Sequence, residues 1–277
     1  MDVQICTSLF SSRVVNLPGK DRDSMVRCWA SVLGDCSDVQ SREHYLSRAL
    51  WLGEGITIKG FDWLHGETKT VGIDSLVAKI LCEKHNNLLS PLDAEAADTF
   101  HTITKILEVA QERGKTKLSK RYWRVEEHSA DGRLFERWAA KYALGLFCVV
   151  GKDWLWHQTG SEPLNPPKEM VRAIYGLGAF EKPAGLYLAA TSGESLNHVD
   201  GISAAPLFHP DGGLVGAHFE FKGFRLVIWL SNENLDSFLL ESAGTEFGPK
   251  RNQLMYHPRN WQFASRNIIT QRLIFEW

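Results

Sequence analysis

The clearest periodic stretch in the chain is SPLDAEAADTFHTITKILEVAQER, where Leu92, Ala96, Phe100, Ile103, Leu107 and Ala110 recur three or four positions apart. One apolar stripe at that spacing predicts an amphipathic helix. Ser90 stands as its N-cap, Pro91 at the first helical position, and Asp93 where a capping-box acid reaches back to the cap's own amide. GRLFERWAAKYALGLFCVV (132–150) predicts a second helix, apolar over so much of its surface that it is largely buried. PPKEMVRAIYGLG (166–178) predicts a short third one. GLYLAAT, GAHFEFKG, FRLVIWLS and the closing TQRLIFEW alternate as strands do, with Lys222 and Gly223 making a hairpin turn. Residues 28 to 93, by contrast, are short, polar and irregular, with Cys, His and Asn at the turns. The expected class is α+β: a unit over 1–112 that ends in the long helix, a basic linker over 113–131, and a C-terminal α+β domain over 132–277 with an antiparallel sheet.

Length and composition narrow this without changing it. A chain of 277 residues that is 44% hydrophobic holds one large packed domain or two modest ones. No run of eighteen apolar residues and no basic-then-apolar leader is present, so the expectation is a soluble, cytoplasmic protein with no membrane partner. A formal charge of -2 gives no global attraction for phosphates. Locally, RGKTKLSKRYWR gathers Arg113, Lys115, Lys117, Lys120, Arg121 and Arg124 around Tyr122 and Trp123 with no acidic residue among them. It reads either as a solvated linker or as a phosphate-tracking arm, in which Lys115, Lys117, Lys120, Arg121 and Arg124 contact nucleic acid. The tryptophans at 154, 156, 229, 261 and 277 are assigned to core packing rather than to a ligand wall. Nucleophile-elbow, phosphate-loop and dinucleotide-binding motifs are absent.

Five cysteines, at 6, 28, 36, 82 and 148, are odd in number and widely scattered, which argues for a metal site over a disulfide framework. Cys28 and Cys36 bracket a turn containing Gly34 and Asp35, and Cys82 and His85 lie three apart in ILCEKHNNLLSPLD. Three thiols and an imidazole suit a closed, tetrahedral structural Zn²⁺ site. The competing reading makes Cys28 and Cys36 buried apolar residues and His85 an ordinary core histidine.

SREHYLSRAL taken with LCEKHNNLLSPLD resembles the two halves of the HNH endonuclease motif, over residues 28 to 93. The resemblance implies a zinc-pinned ββα-metal finger: a strand carrying the histidine, a second strand, then a helix. It implies His44 as general base, Glu43 as a ligand of a catalytic divalent ion (Mg²⁺ or Mn²⁺), and Asn86 as the final metal-binding or positioning residue. Asn87 and Asp93 also match residues of this version, although Asp93 has its alternative role as a capping acid. The activity implied is hydrolysis of phosphodiester bonds in nucleic acid, DNA first, in the setting of defence against foreign DNA. The C-terminal half would then recognise substrate or a regulatory partner, and a homodimer stays open. Two departures stand out. The segment between the halves is long, and the middle Asn that orients the general base has no counterpart at the usual spacing; Asp74 and Ser75 lie near its place. A backbone carbonyl, His65 or Asp74 is left to orient His44.

The chemistry asked of these residues is physically coherent. Water needs a base to become a nucleophile near pH 7, a task that suits imidazole, and the leaving oxygen needs positive charge nearby. Zinc in a closed site does no chemistry but replaces a core too small to fold alone. The alternative reading is a zinc-pinned nucleic-acid-binding or assembly module that has lost catalysis, favoured by the missing middle Asn and the near-neutral charge.

Overall fold

Two long helices, each carrying its apolar face inward, set the architecture of this computed structural model. It describes residues 2–5, 28–44, 47–50, 55–59, 64, 67–115, 124–150, 166–189, 201–208, 214–221, 224–232, 235, 254–265 and 268–277. Lys117, Lys120, Arg121, Tyr122, Trp123, His65, Cys6, Trp154, Trp156, Lys222 and Gly223 lie outside them. Along the chain run β1 (Asp2–Ile5), β2 (Glu43–His44), β3 (Gly55–Lys59), β4 (Thr68–Gly72), β5 (Val77–Ala78), α1 (Glu83–Asn87), α2 (Ser90–Lys115), β6 (Glu126–Asp131) and α3 (Gly132–Val150). They are followed by α4 (Lys168–Ile174), β7 (Gly185–Ala189), β8 (Gly201–Phe208), β9 (Leu214–Phe221), β10 (Phe224–Trp229), β11 (Leu254–Tyr256), β12 (Asn260–Ser265) and β13 (Ile268–Glu276).

The helices form where the apolar spacing requires. Leu92, Ala96, Phe100, Ile103 and Leu107 of α2 are all buried, and α3 presents Phe135, Trp138, Ala139, Tyr142 and Ala143 to the same core. Phe100 is the meeting point, with ring centroids 5.5 Å from Phe135, 5.2 Å from Trp138 and 4.3 Å from Phe221 of β9. These tilted aromatic contacts add to the area they bury. The expected capping box is not formed. The Asp93 N–H reaches the carbonyl of Leu89, so the helix starts one residue early, and the Asp93 carboxylate is taken by Ser47 and Lys141 instead of the Ser90 amide. A charged partner attracts a carboxylate more strongly than a neutral backbone N–H does.

The protein is α+β with largely antiparallel sheets. An eight-stranded sheet runs β11-β7-β10-β9-β8-β1-β3-β4, antiparallel except where β1 lies parallel to both of its neighbours. The β9–β10 hairpin pairs Phe224 with Phe221 as the alternation predicts. Gly216 allows β9 to lie close against β10: a Cβ there would meet the Ile228 carbonyl oxygen at 2.4 Å. A three-stranded sheet, β12-β13-β6, pairs β13 in parallel with β6. β2 and β5 make a separate two-stranded ladder.

The long segment between the motif halves contributes the β3–β4 hairpin, whose β3 joins the large sheet through β1, so the insertion forms a sheet edge. The expected linker is only in part a connector: α2 extends to Lys115, and Glu126–Asp131 is the strand β6. One continuous core gathers Cys28, Leu81, Phe100, Trp138, Ile228 and Phe275, drawn from both expected domains. Trp229 and Trp261 are buried in the core, as assigned.

His218 lies buried on β9, where burial, aided by Arg225, pushes its imidazole down to about 4. A histidine depressed in the fold favours the native state above its unfolded pKa near 6.5, and that stability drains away as pH falls from about 6.5 toward 4. Between pH 7 and pH 4 the unfolding free energy of the wild type should therefore drop by about 3 kcal/mol more than that of His218→Leu. Urea denaturation at the two pH values tests this, and parallel drops in both proteins would refute it.

Candidate metal centre and its surroundings

The four ligands expected from sequence converge. The Sγ atoms of Cys28, Cys36 and Cys82 lie 3.4, 3.5 and 3.2 Å from His85 Nδ1, and all four donor atoms fall within 4.8 Å of one another. A tetrahedral zinc with bonds of about 2.3 Å to sulfur and about 2.0–2.1 Å to nitrogen places sulfur and nitrogen about 3.6 Å apart. The donor set and its spacing fit that ion.

Local structure explains how residues 57 positions apart arrive here. Cys28 is followed by a single 3₁₀ turn, Ser31–Leu33. Gly34 (φ 76°, ψ −176°) then takes a conformation open to glycine alone, and Asp35 (φ 58°) a left-handed one that Asp tolerates. This reversal returns Cys36 to Cys28 and accounts for the wide gap between them. Gln40 bridges Cys82 across strands, while the Ser41 N–H bonds the Leu81 carbonyl, clipping the first segment to the second. Cys82 caps α1, its Sγ accepting the His85 N–H, and the first turn of the helix swings the imidazole back over that sulfur. Cys28, Cys82 and His85 are buried and Cys36 is exposed. Burial pushes the Cys28 thiol up to about 12, so without a cation that sulfur resists ionisation, whereas at Cys82, against its burial, hydrogen bonds from the His85 and Ser37 groups hold the thiol below its ordinary value. Tyr175, just past α4, closes the knuckle by donating its hydroxyl to the His85 carbonyl and setting its ring edge-on to the imidazole.

The residues expected to do chemistry separate onto two faces. Glu43 and His44 form β2, paired to Ala78 and Val77 of β5, and neighbours on a strand point opposite ways. His44 is half-buried. Its Nε2 is shut off from solvent with no hydrogen-bond partner, and the Asp74 carboxylate lies 3.7 Å away. Arg48, exposed, reaches the same carboxylate at 3.4 Å. Ser75 turns away to the Gly72 carbonyl. Asn86 donates Nδ2 to Ser41 Oγ at 2.8 Å, and Asn87 is exposed.

Glu43 departs from its expected role. Its carboxylate does not bend round toward His44 but points into the core, 2.8 Å from Lys141 Nζ on α3. The same Nζ lies 2.5 Å from Asp93, whose other oxygen accepts the Ser47 hydroxyl at 2.6 Å, and Ser47 accepts the indole N–H of Trp138. Burial alone would lower the Lys141 pKa, but the facing carboxylates of Glu43 and Asp93 outweigh it and raise it, so the ammonium stays charged. A divalent ion held by Glu43 and Asn86 does not fit this arrangement, because Glu43 is already paired and buried. Sequence reasoning missed Lys141, Ser47 and Tyr175. The signal was available for the first: Lys141, set among Trp138, Ala139, Ala140, Tyr142, Ala143 and Leu144 on a helix expected to be largely buried, calls for an acidic partner.

Of the basic segment, Lys115 and Arg124 are exposed, and Arg113 pairs with Glu126. No helix among the described residues is long and apolar enough to cross a membrane. Comparison with protein-family models, with curated proteins and with solved structures returned no match.

The purified protein should carry about one tightly held zinc per chain, measurable by elemental analysis. Cys82→Ala should lose both the zinc and most of the helical signal of folding, since the bound metal is folding free energy. Zinc affinity should fall as pH is lowered, because the thiols must give up protons to bind it. A well-folded, zinc-free wild type would contradict all three.

Proposed function

We propose that the zinc-pinned unit is a nuclease centre of the HNH kind, acting on phosphodiester bonds of nucleic acid, with His44 as general base. One observation carries the reading. The four ligands that the resemblance implies converge, and the strand that carries His44 pairs with β5 shortly before Cys82 and His85, which supports the reading.

In this reading Asp74 stands in for the missing middle Asn. Asp74 would orient the His44 ring through Nε2, 3.7 Å from its carboxylate, which would leave Nδ1 as the base that takes a proton from water. The 3.7 Å separation is long for a hydrogen bond and closes when substrate orders the site, as catalytic contacts commonly do. Arg48 supplies positive charge at the rim for a phosphate oxygen. No step is routed through a divalent ion at Glu43.

A second reading is a zinc-pinned nucleic-acid-binding or assembly module without catalysis. The pairing of Glu43 with Lys141 favours it, because it removes the carboxylate that the resemblance assigns to the catalytic ion.

The deciding assay incubates supercoiled plasmid and labelled single-stranded DNA and RNA with the zinc-loaded protein, in Mg²⁺, in Mn²⁺ and without either. His44→Ala should reduce cleavage at least about 100-fold, the range for loss of a general base. Asp74→Ala should reduce it less. Equal cleavage by wild type and His44→Ala would end the catalytic reading, and DNA binding without cleavage would select the module.

A further inference from the structure

The carboxylates of Glu43 and Asp93 converge from β2 and α2 on one point, and that point holds the ammonium of Lys141 at 2.8 and 2.5 Å. The lysine side chain is 6% exposed and reaches the point from α3. Asp93 is held by the Ser47 hydroxyl, and Ser47 in turn by Trp138, which sits one turn before Lys141 on the same helix. Both carboxylates face one ammonium drawn from a third element, which is the geometry of a built cation site rather than a chance surface pair. Oxygen donors of this type, Glu43 buried and Asp93 half-buried, are also what a hard divalent ion selects.

We infer that Lys141 is the resident cation of this site, an ammonium standing where a divalent ion would otherwise sit between Glu43 and Asp93. Two consequences follow from the charge. The carboxylate pair takes up no metal while Lys141 is in place, so zinc in the Cys28, Cys36, Cys82 and His85 cluster is the metal these two acidic residues leave to the unit. The lysine also acts as a positioning residue: by holding the Glu43 carboxylate inward it fixes the side of β2 that presents His44 to Asp74. An amine tethered to α3 makes the registry of β2 depend on a helix more than ninety residues away, whereas a diffusible ion would leave it dependent on solution conditions. The inference does not depend on nuclease activity, because its readout is ion binding.

The test is Mn²⁺ binding by electron paramagnetic resonance and by the shift in melting temperature, using full-length, zinc-loaded protein. Wild type should show no Mn²⁺ uptake that depends on Glu43, so wild type and Glu43→Gln should give the same titration. Lys141→Met removes the ammonium and keeps the volume of the stem. It should gain about one Mn²⁺ per chain, with a rise in melting temperature of about 5–10 °C at a hundredfold excess over its Kd. Glu43→Gln in the Lys141→Met background should abolish that gain. Mn²⁺ uptake by the wild type that Glu43→Gln removes would overturn the inference, and so would a folded Lys141→Met protein that takes up none. If Lys141→Met folds only when Mn²⁺ is supplied, the inference is upheld in its strongest form; if it folds under neither condition, the wild type and Glu43→Gln titrations decide alone.

Discussion

Three sulfurs and one imidazole converge within 4.8 Å of one another, and this convergence organises the first third of the molecule. Burial opposes thiolate formation, as the Cys28 thiol shows, and a bound cation reverses that preference. To bring Cys28 and Cys36 onto Cys82 and His85, the chain spends a glycine in a conformation few residues adopt and an aspartate in a left-handed one. The same convergence lays residues 40 and 41 against residues 81 and 82, which in turn sets β2 beside β5. The position of His44 is thus tied to the convergence of the four candidate ligands.

A second constraint acts from the opposite side. Glu43 and His44 are consecutive, so the strand sends one inward and the other out. The inward carboxylate needs a cation, and α3 supplies it. Buried ion pairs of this kind add little net stability over an apolar contact, yet removing one partner strands the other at a cost of about 3–5 kcal/mol. Their main effect is therefore on arrangement: only one seating of β2, α2 and α3 satisfies Glu43, Asp93 and Lys141 together. The N-terminal and C-terminal parts share one core.

The remainder of the fold serves as a frame. The eight-stranded sheet takes β1, β3 and β4 from the N-terminal part and β7 to β11 from the C-terminal part. The hairpin inserted between the two halves of the motif is therefore held at the sheet while its ends return to the metal centre. Tyr175 links α4 to the knuckle through the His85 carbonyl.

Local information determined much of this. The apolar stripe of α2, the buried character of α3, the short α4 and the β9–β10 hairpin follow from periodicities that span one element, so no distant partner was needed to read them. The ligand set of Cys28, Cys36, Cys82 and His85 was legible as well, because metal-binding residue types are rare enough to stand out in a polar stretch. Only the tertiary structure decided where carboxylates point. Asp93 satisfies the spacing of a capping box, but an ammonium and a hydroxyl brought by other elements bind it better than the backbone does. Glu43 satisfies the spacing of an ion ligand, but Lys141, 98 positions away, reaches it first. Charge pairing is a long-range choice among competing partners, and those partners become neighbours only after the chain has folded.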